Sequence, residues 1–167
     1  FDVKKAESIN GDHIRLLDVD DFAERMLPYL GGLVTTPAQR ELLHKAAPLV
    51  QERMQLLGEA LGLLEFLFTS DDAITFDKDA LPGVGGPSVL AVATNALTAL
   101  DEWTVVAIEA TLRGALIDEL GVKPREAFGP LRSAISGRRI SPPLFESMEL
   151  LGKASTLARI ARLADRL

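Results

Sequence analysis

The chain has no cysteine, which excludes disulfides, thiolate zinc sites and thiol nucleophiles. It has two histidines, His13 and His44, and neither stands at a spacing that suggests a nucleophile–base pair or a metal site. Each therefore reads as a surface or packing residue. Aromatic residues amount to only 5%, so the core must be aliphatic. Leu and Ala dominate, and both favour helix. No apolar run is long enough to span a bilayer, and no signal-peptide pattern opens the chain. Strand signals are nearly missing. The first residue is Phe1 rather than Met, which reads as a piece cut from a longer protein. What remains is ordinary for a globular chain: 167 residues, 47% hydrophobic and 25% charged, enough for one domain or two small ones. A cysteine-free chain fits a reducing, cytoplasmic compartment.

The net charge of −6 argues mildly against nucleic acid, but its distribution is uneven. Residues 1–120 carry 9 Lys and Arg against 20 Asp and Glu, whereas residues 121–167 carry 9 against 4. A basic C-terminal third on an acidic body suits a surface that meets phosphates. A solvated basic helix end explains the same numbers.

Helix signals recur along the whole chain. Asp18 to Asp21 open a helix through Leu30 that Gly31 and Gly32 stop. Thr36-Pro37-Ala38-Gln39 is a capping box with Pro at the first helical position. Pro48 should break or kink the helix that follows, and another helix is expected over 49–68. Regularity lapses over 69–87, where Asp71, Asp72, Asp77 and Asp79 precede a cluster of Gly and Pro. This segment is the expected boundary between two subdomains, with its carboxylates in water. The glycines lack Gly-Lys-Ser/Thr and follow no strand, so they do not form a phosphate loop. Helices are expected again from Ser88 to Leu100 and from Trp103 to Leu120, the latter with Val106, Ile108, Leu112, Leu116 and Leu120 on its apolar side. Two short pieces follow over 124–128 and 130–135. Ser141-Pro142-Pro143 opens a helix ending before Gly152. A final helix over 155–166 turns Leu157, Ile160, Ala161 and Ala164 inward and Arg159, Arg162 and Arg166 outward.

Catalytic candidates are poor, so the residues argue for binding. The informative stretch is 130–152. Arg132, Arg138 and Arg139 precede a proline-stiffened helix start whose N–H groups suit an anion or a base acceptor. Phe145 offers a stacking face for an unpaired base. A capped helix with Phe145 in the core and arginines in water fits the same residues. A helical protein-interaction domain and an enzyme with a site between residues 71 and 79 are further alternatives.

The chain also resembles a known family. Phe1-Asp2-Val3-Lys4-Lys5 with Asn10-Gly11-Asp12-His13-Ile14-Arg15 looks like the segment that follows the catalytic domain of bacterial glutamyl-tRNA synthetases. Trp103-Thr104 with Leu112-Arg113-Gly114 is similar to a later helix of that family. The most specific likeness runs from Pro130-Leu131-Arg132 through Ser141-Pro142-Pro143-Leu144-Phe145-Glu146 to Leu150-Leu151-Gly152-Lys153. The likeness covers essentially the whole chain in order, except the loop over about 69–90.

The resemblance implies an all-α fold: two consecutive small helical subdomains, 1–75 and 76–167, forming an anticodon-binding α-helix cage. By position, Arg132, Ser141, Pro142, Leu144 and Phe145 fall where the family contacts anticodon bases, and Pro143 stands where the family can have Gly. Arg53 matches the family arginine that reads the third anticodon base and so tells glutamate tRNA from glutamine tRNA. The implied partners are glutamate tRNA, with glutamine tRNA left open, and the catalytic domain of the same chain. A monomer, with no membrane partner, is expected. ATP and magnesium belong to the parent enzyme, and no cofactor is expected in this piece. Neither the His-Ile-Gly-His-like nor the Lys-Met-Ser-Lys-Ser-like motif of the catalytic domain occurs here, so this chain alone is expected not to form glutamyl-adenylate.

Overall fold

A computed structural model describes residues 2–167; Phe1, the first residue of the resemblance, lies outside them. Among the described residues every regular element is helical. The chain forms two compact units, Phe1–Phe68 and Thr69–Leu167.

The first unit starts with α1 (Val3–Leu16), capped by the Asp2 carboxylate, which accepts from the Lys5 amide at 3.2 Å. Helix α2 (Val19–Met26) is capped by Asp18 and gives way to a 3-10 turn at Leu27–Tyr29. Gly31 and Gly32 then take left-handed φ values of 59° and 77°, which glycine adopts without a Cβ clash. Helix α3 (Pro37–Gln51) opens with the expected capping box between Thr36 and Gln39. Pro48 does not break it. Leu43, Ala46, Ala47 and Val50 are all buried, an i, i+3, i+4, i+7 stripe whose packing against α2 outweighs the one hydrogen bond that Pro48 cannot make. The expected helix over 49–68 is interrupted instead. Helix α3 ends at Gln51, Met54 drops into the core, a 3-10 turn occupies Leu57–Glu59, and α4 (Ala60–Phe68) follows. Buried Gln51 explains the stop. Its Nε2 donates to the carbonyls of Ile14 and Leu17, both at 2.9 Å, and so closes the last turn of α1. On the outside, His44 of α3 places Nδ1 2.7 Å from Asp20 and Nε2 2.9 Å from Glu24, both on α2.

The second unit contains α5 (Gly86–Thr98) and α6 (Val105–Leu112), the latter running into a π-helical stretch at Arg113–Glu119. Ile108, Leu112 and Leu116 are buried, but Val106 and Leu120 are exposed, contrary to expectation. The wider π turn takes more residues per revolution, which keeps positions four apart on the core side. Helix α7 (Pro124–Ser136) is continuous where two pieces were expected. Ala127, Pro130, Leu131 and Ala134 are buried at the same i, i+3, i+4, i+7 spacing, so packing again overrides an internal proline. Helices α8 (Leu144–Leu151) and α9 (Lys153–Ala164) meet at Gly152. Trp103 Nε1 donates to the Met148 carbonyl at 2.9 Å, and Glu149 accepts from the Val105 amide at 2.9 Å, which holds α6 to α8.

The largest departure from expectation is Arg159. It is 1% exposed, not outward. Its guanidinium pairs with Asp71 (Nε to Oδ1, 2.6 Å) and donates to the carbonyls of Ile135 and Thr69, both at 2.8 Å. Thr156, Ile160 and Leu163 share the buried face, while Ala161 and Ala164 face outward. Helix α9 is therefore rotated from its expected orientation, because three acceptors fully satisfy the buried cation. Asp71 and Asp77 are correspondingly engaged rather than simply solvated, Asp77 by Arg138 Nη1 at 3.2 Å.

Candidate functional site

The turn between α7 and α8 is built by a chain of local constraints. Gly137 ends α7 at φ 72°, and its carbonyl accepts from the Asp77 amide at 2.9 Å. A Cβ at this glycine would run into the carbonyl oxygen of Thr75. Ser136 Oγ donates to the Arg132 carbonyl at 2.9 Å and accepts from the Arg138 amide at 3.2 Å. Arg132, one α-helical turn earlier, sends Nη1 to Ser141 Oγ at 3.4 Å and to the Pro142 carbonyl at 3.2 Å. A half-buried guanidinium thus clasps the entrance to α8.

Beyond the clasp, Pro143 is the N-cap of α8 and offers no side-chain hydrogen bond to it. The amides of Leu144, Phe145 and Glu146 sit at the positive end of the helix dipole with no side-chain acceptor from the cap. Ser141, Pro142 and Leu144 are buried, Leu144 at 3% exposure, so the Leu144 side chain packs inward. Phe145 is half-buried and meets Phe128 edge-to-face, with centroids 5.3 Å apart at 88°. Arg113 stacks over Phe128 at 5.4 Å. The structure therefore brings Arg132, Ser141 and Pro142 into direct contact and sets Leu144 and Phe145 on the next turn. Arg53 belongs to the first unit. It is exposed on the turn after α3, with its amide donating to the Val50 carbonyl at 3.1 Å.

Next to the clasp lies an open groove of about 1090 Å³. One wall is α7, through Arg125, Phe128 and Arg132; the other is the loop 79–86, and Arg139 closes one side. Asp79 and Glu126 also line it. The residue reading missed Arg125, Phe128 and the loop wall. A signal was available: positions 125, 128 and 132 follow i, i+3, i+7 spacing and share a helix face. Splitting α7 in two hides it. Among the described residues no group of three His, Asp or Glu could hold a metal ion, and no helix is long and apolar enough to cross a membrane.

A family model described as "Anticodon binding domain" matches residues 21–164. The chain is 59% identical, over its whole length, to a glutamate–tRNA ligase of Leifsonia xyli, of which it covers 36%. It is 57% identical to a glutamate–tRNA ligase of Kocuria rhizophila, of which it covers 34%. It thus spans about a third of the length of these relatives. Among solved structures, a glutamate tRNA ligase from Elizabethkingia meningosepticum superposes on the whole chain with a TM-score of 0.77 at 20% identity, the chain matching 33% of it. That likeness speaks for the fold.

Proposed function

Since this chain belongs to the anticodon-binding domain family, we propose that it holds the anticodon loop of glutamate tRNA as the C-terminal part of a glutamate–tRNA ligase. The parent enzyme would attach glutamate to tRNA in the cytoplasm using ATP and magnesium, with that chemistry residing outside these residues. The observation that carries the reading is the clasp of Arg132 on the proline turn before α8. It stiffens a helix start whose cap lends no side-chain acceptor to the first amides, beside the half-buried ring of Phe145. Unpaired bases are read in this way, by backbone and side-chain donors next to an aromatic face.

Arg53 is the proposed reader of the third anticodon base. Glutamate anticodons end in cytosine, whose O2 and N3 acceptors suit a donor-only guanidinium. Glutamine anticodons end in guanine, whose N–H donors leave arginine's own donors unpaired. A good bidentate contact discriminates by about 1–3 kcal/mol. In the intact ligase, Arg53→Gln is expected to narrow the ratio of kcat/KM between glutamate and glutamine tRNAs about 5-fold or more, by the same energy scale. An unchanged ratio removes Arg53 from the site. The assignment as a whole is tested by footprinting full-length glutamate tRNA on this chain. Protection of the anticodon loop is expected. Binding that protects other regions and leaves the loop open refutes the reading.

A further inference from the structure

We propose that the groove between α7 and the loop 79–86 seats the sugar–phosphate strand of loop nucleotides flanking the anticodon, with Arg125 and Arg139 holding its phosphates. This rests on the anticodon-loop reading above and extends it to a part of the molecule that the sequence resemblance leaves out.

Three observations carry it. The groove measures about 1090 Å³, at the upper end of pockets for small ligands, which leaves room for more than one nucleotide. The Arg125 and Arg139 side chains are exposed and make no hydrogen bond or ion pair among the described residues, unlike those of Arg132 and Arg138, which hold the turn. The opposite wall is apolar and stands in water: Leu81 is 43% exposed and Val84 fully exposed. Gly83 and Gly85, on either side of Val84, add no side chain to obstruct a close approach. Arginines facing an apolar wall suit a strand with phosphates on one edge and ribose and base faces on the other. Asp79 and Glu126 also line the groove, so three guanidinium groups meet two carboxylates. That modest positive excess favours a strand carrying one charge per nucleotide over a compact polyphosphate.

The test is fluorescence anisotropy with a labelled RNA anticodon stem-loop of glutamate tRNA, at about 50 and 200 mM salt, the range over which phosphate contacts are read. It compares the unsubstituted chain, the double variant R125Q/R139Q, V84D and a control in the first unit, R25Q. The substituted groove residues are exposed, and unchanged Trp103 fluorescence verifies folding. Two lost phosphate contacts at about 0.7 in salt slope each mean that the double variant loses about 7-fold less affinity between the two salts. Its loss is expected to be the same for stem-loops with cytosine or guanine as the third anticodon base, because phosphate contacts carry no sequence information. V84D is expected to weaken binding by placing a carboxylate against the strand. Intact binding with an unchanged slope overturns the groove and leaves the anticodon-loop reading standing. An equal change in R25Q, or displacement of the RNA by inorganic tripolyphosphate at equal phosphate concentration, also overturns it. No binding by the unsubstituted chain at the lower salt overturns both.

Discussion

Replacing Arg159 by methionine keeps a long unbranched side chain in the core of the second unit and removes all its donors. The Ile135 and Thr69 carbonyls each lose a bond of 2.8 Å, and Asp71 loses its partner at 2.6 Å. Breaking one side of a buried pair costs about 3–5 kcal/mol. Asp71 is one-third exposed and regains water, so the expected loss lies at the low end, about 3 kcal/mol. With a urea m-value near 2 kcal/mol/M, the midpoint falls by about 1.5 M. Trp103 is the only tryptophan and lies in the second unit, where its indole donates to Met148, so its fluorescence reports this unit selectively. Asp71→Leu added to Arg159→Met is expected to restore much of the loss, because removing both charges leaves none unpaired. A midpoint for Arg159→Met within about 0.3 M of the unsubstituted chain, less than 1 kcal/mol on that m-value, refutes the view that this cation orients α9.

His44 lies between Asp20 and Glu24, and hydrogen bonds to the two carboxylates raise its pKa above the usual 6.5. Its contribution is therefore complete below the unfolded value and lost as pH rises through the higher folded one. The first unit should melt lower at about pH 9 than at about pH 6 by an amount that His44→Gln diminishes, and an NMR titration of the imidazole should give a midpoint above 6.5. Gly137→Ala should destabilise the second unit by more than the ~1–2 kcal/mol of a left-handed alanine, because its Cβ meets the Thr75 carbonyl; urea unfolding followed by Trp103 measures it. Thr36→Ala removes the capping box of α3 and should cost about 1 kcal/mol, seen as a lower thermal midpoint by helical circular dichroism.

Much of the candidate site was legible. Arg132 and the Ser-Pro-Pro-Leu-Phe run lie close enough in sequence for a helix end and a turn to join them, and the contacts of Arg132 with Ser141 and Pro142 span only nine and ten residues. The groove was not legible in the same way. Its second wall comes from residues 79–86, more than forty positions before Arg132, and its first wall is visible as one face only if α7 passes through Pro130.

The amino-acid sequence alone determined where most helices begin and end. Thr36, Asp18 and Pro124 start them, and Gly31 and Gly152 stop them, because caps and left-handed turns depend on atoms a few bonds away. It also determined that no thiol chemistry is available. Only the tertiary structure decided which prolines are tolerated, which way Arg159 faces and where α3 ends to leave Arg53 on a turn. Each of those outcomes depends on partners distant in the chain. Buried stripes carry helices across Pro48 and Pro130, carbonyls of Thr69 and Ile135 draw a cation inward, and Gln51 gives its amide to α1 instead of leaving it to solvent. Local propensities of a few tenths of a kcal/mol per residue yield to such contacts, which are worth several.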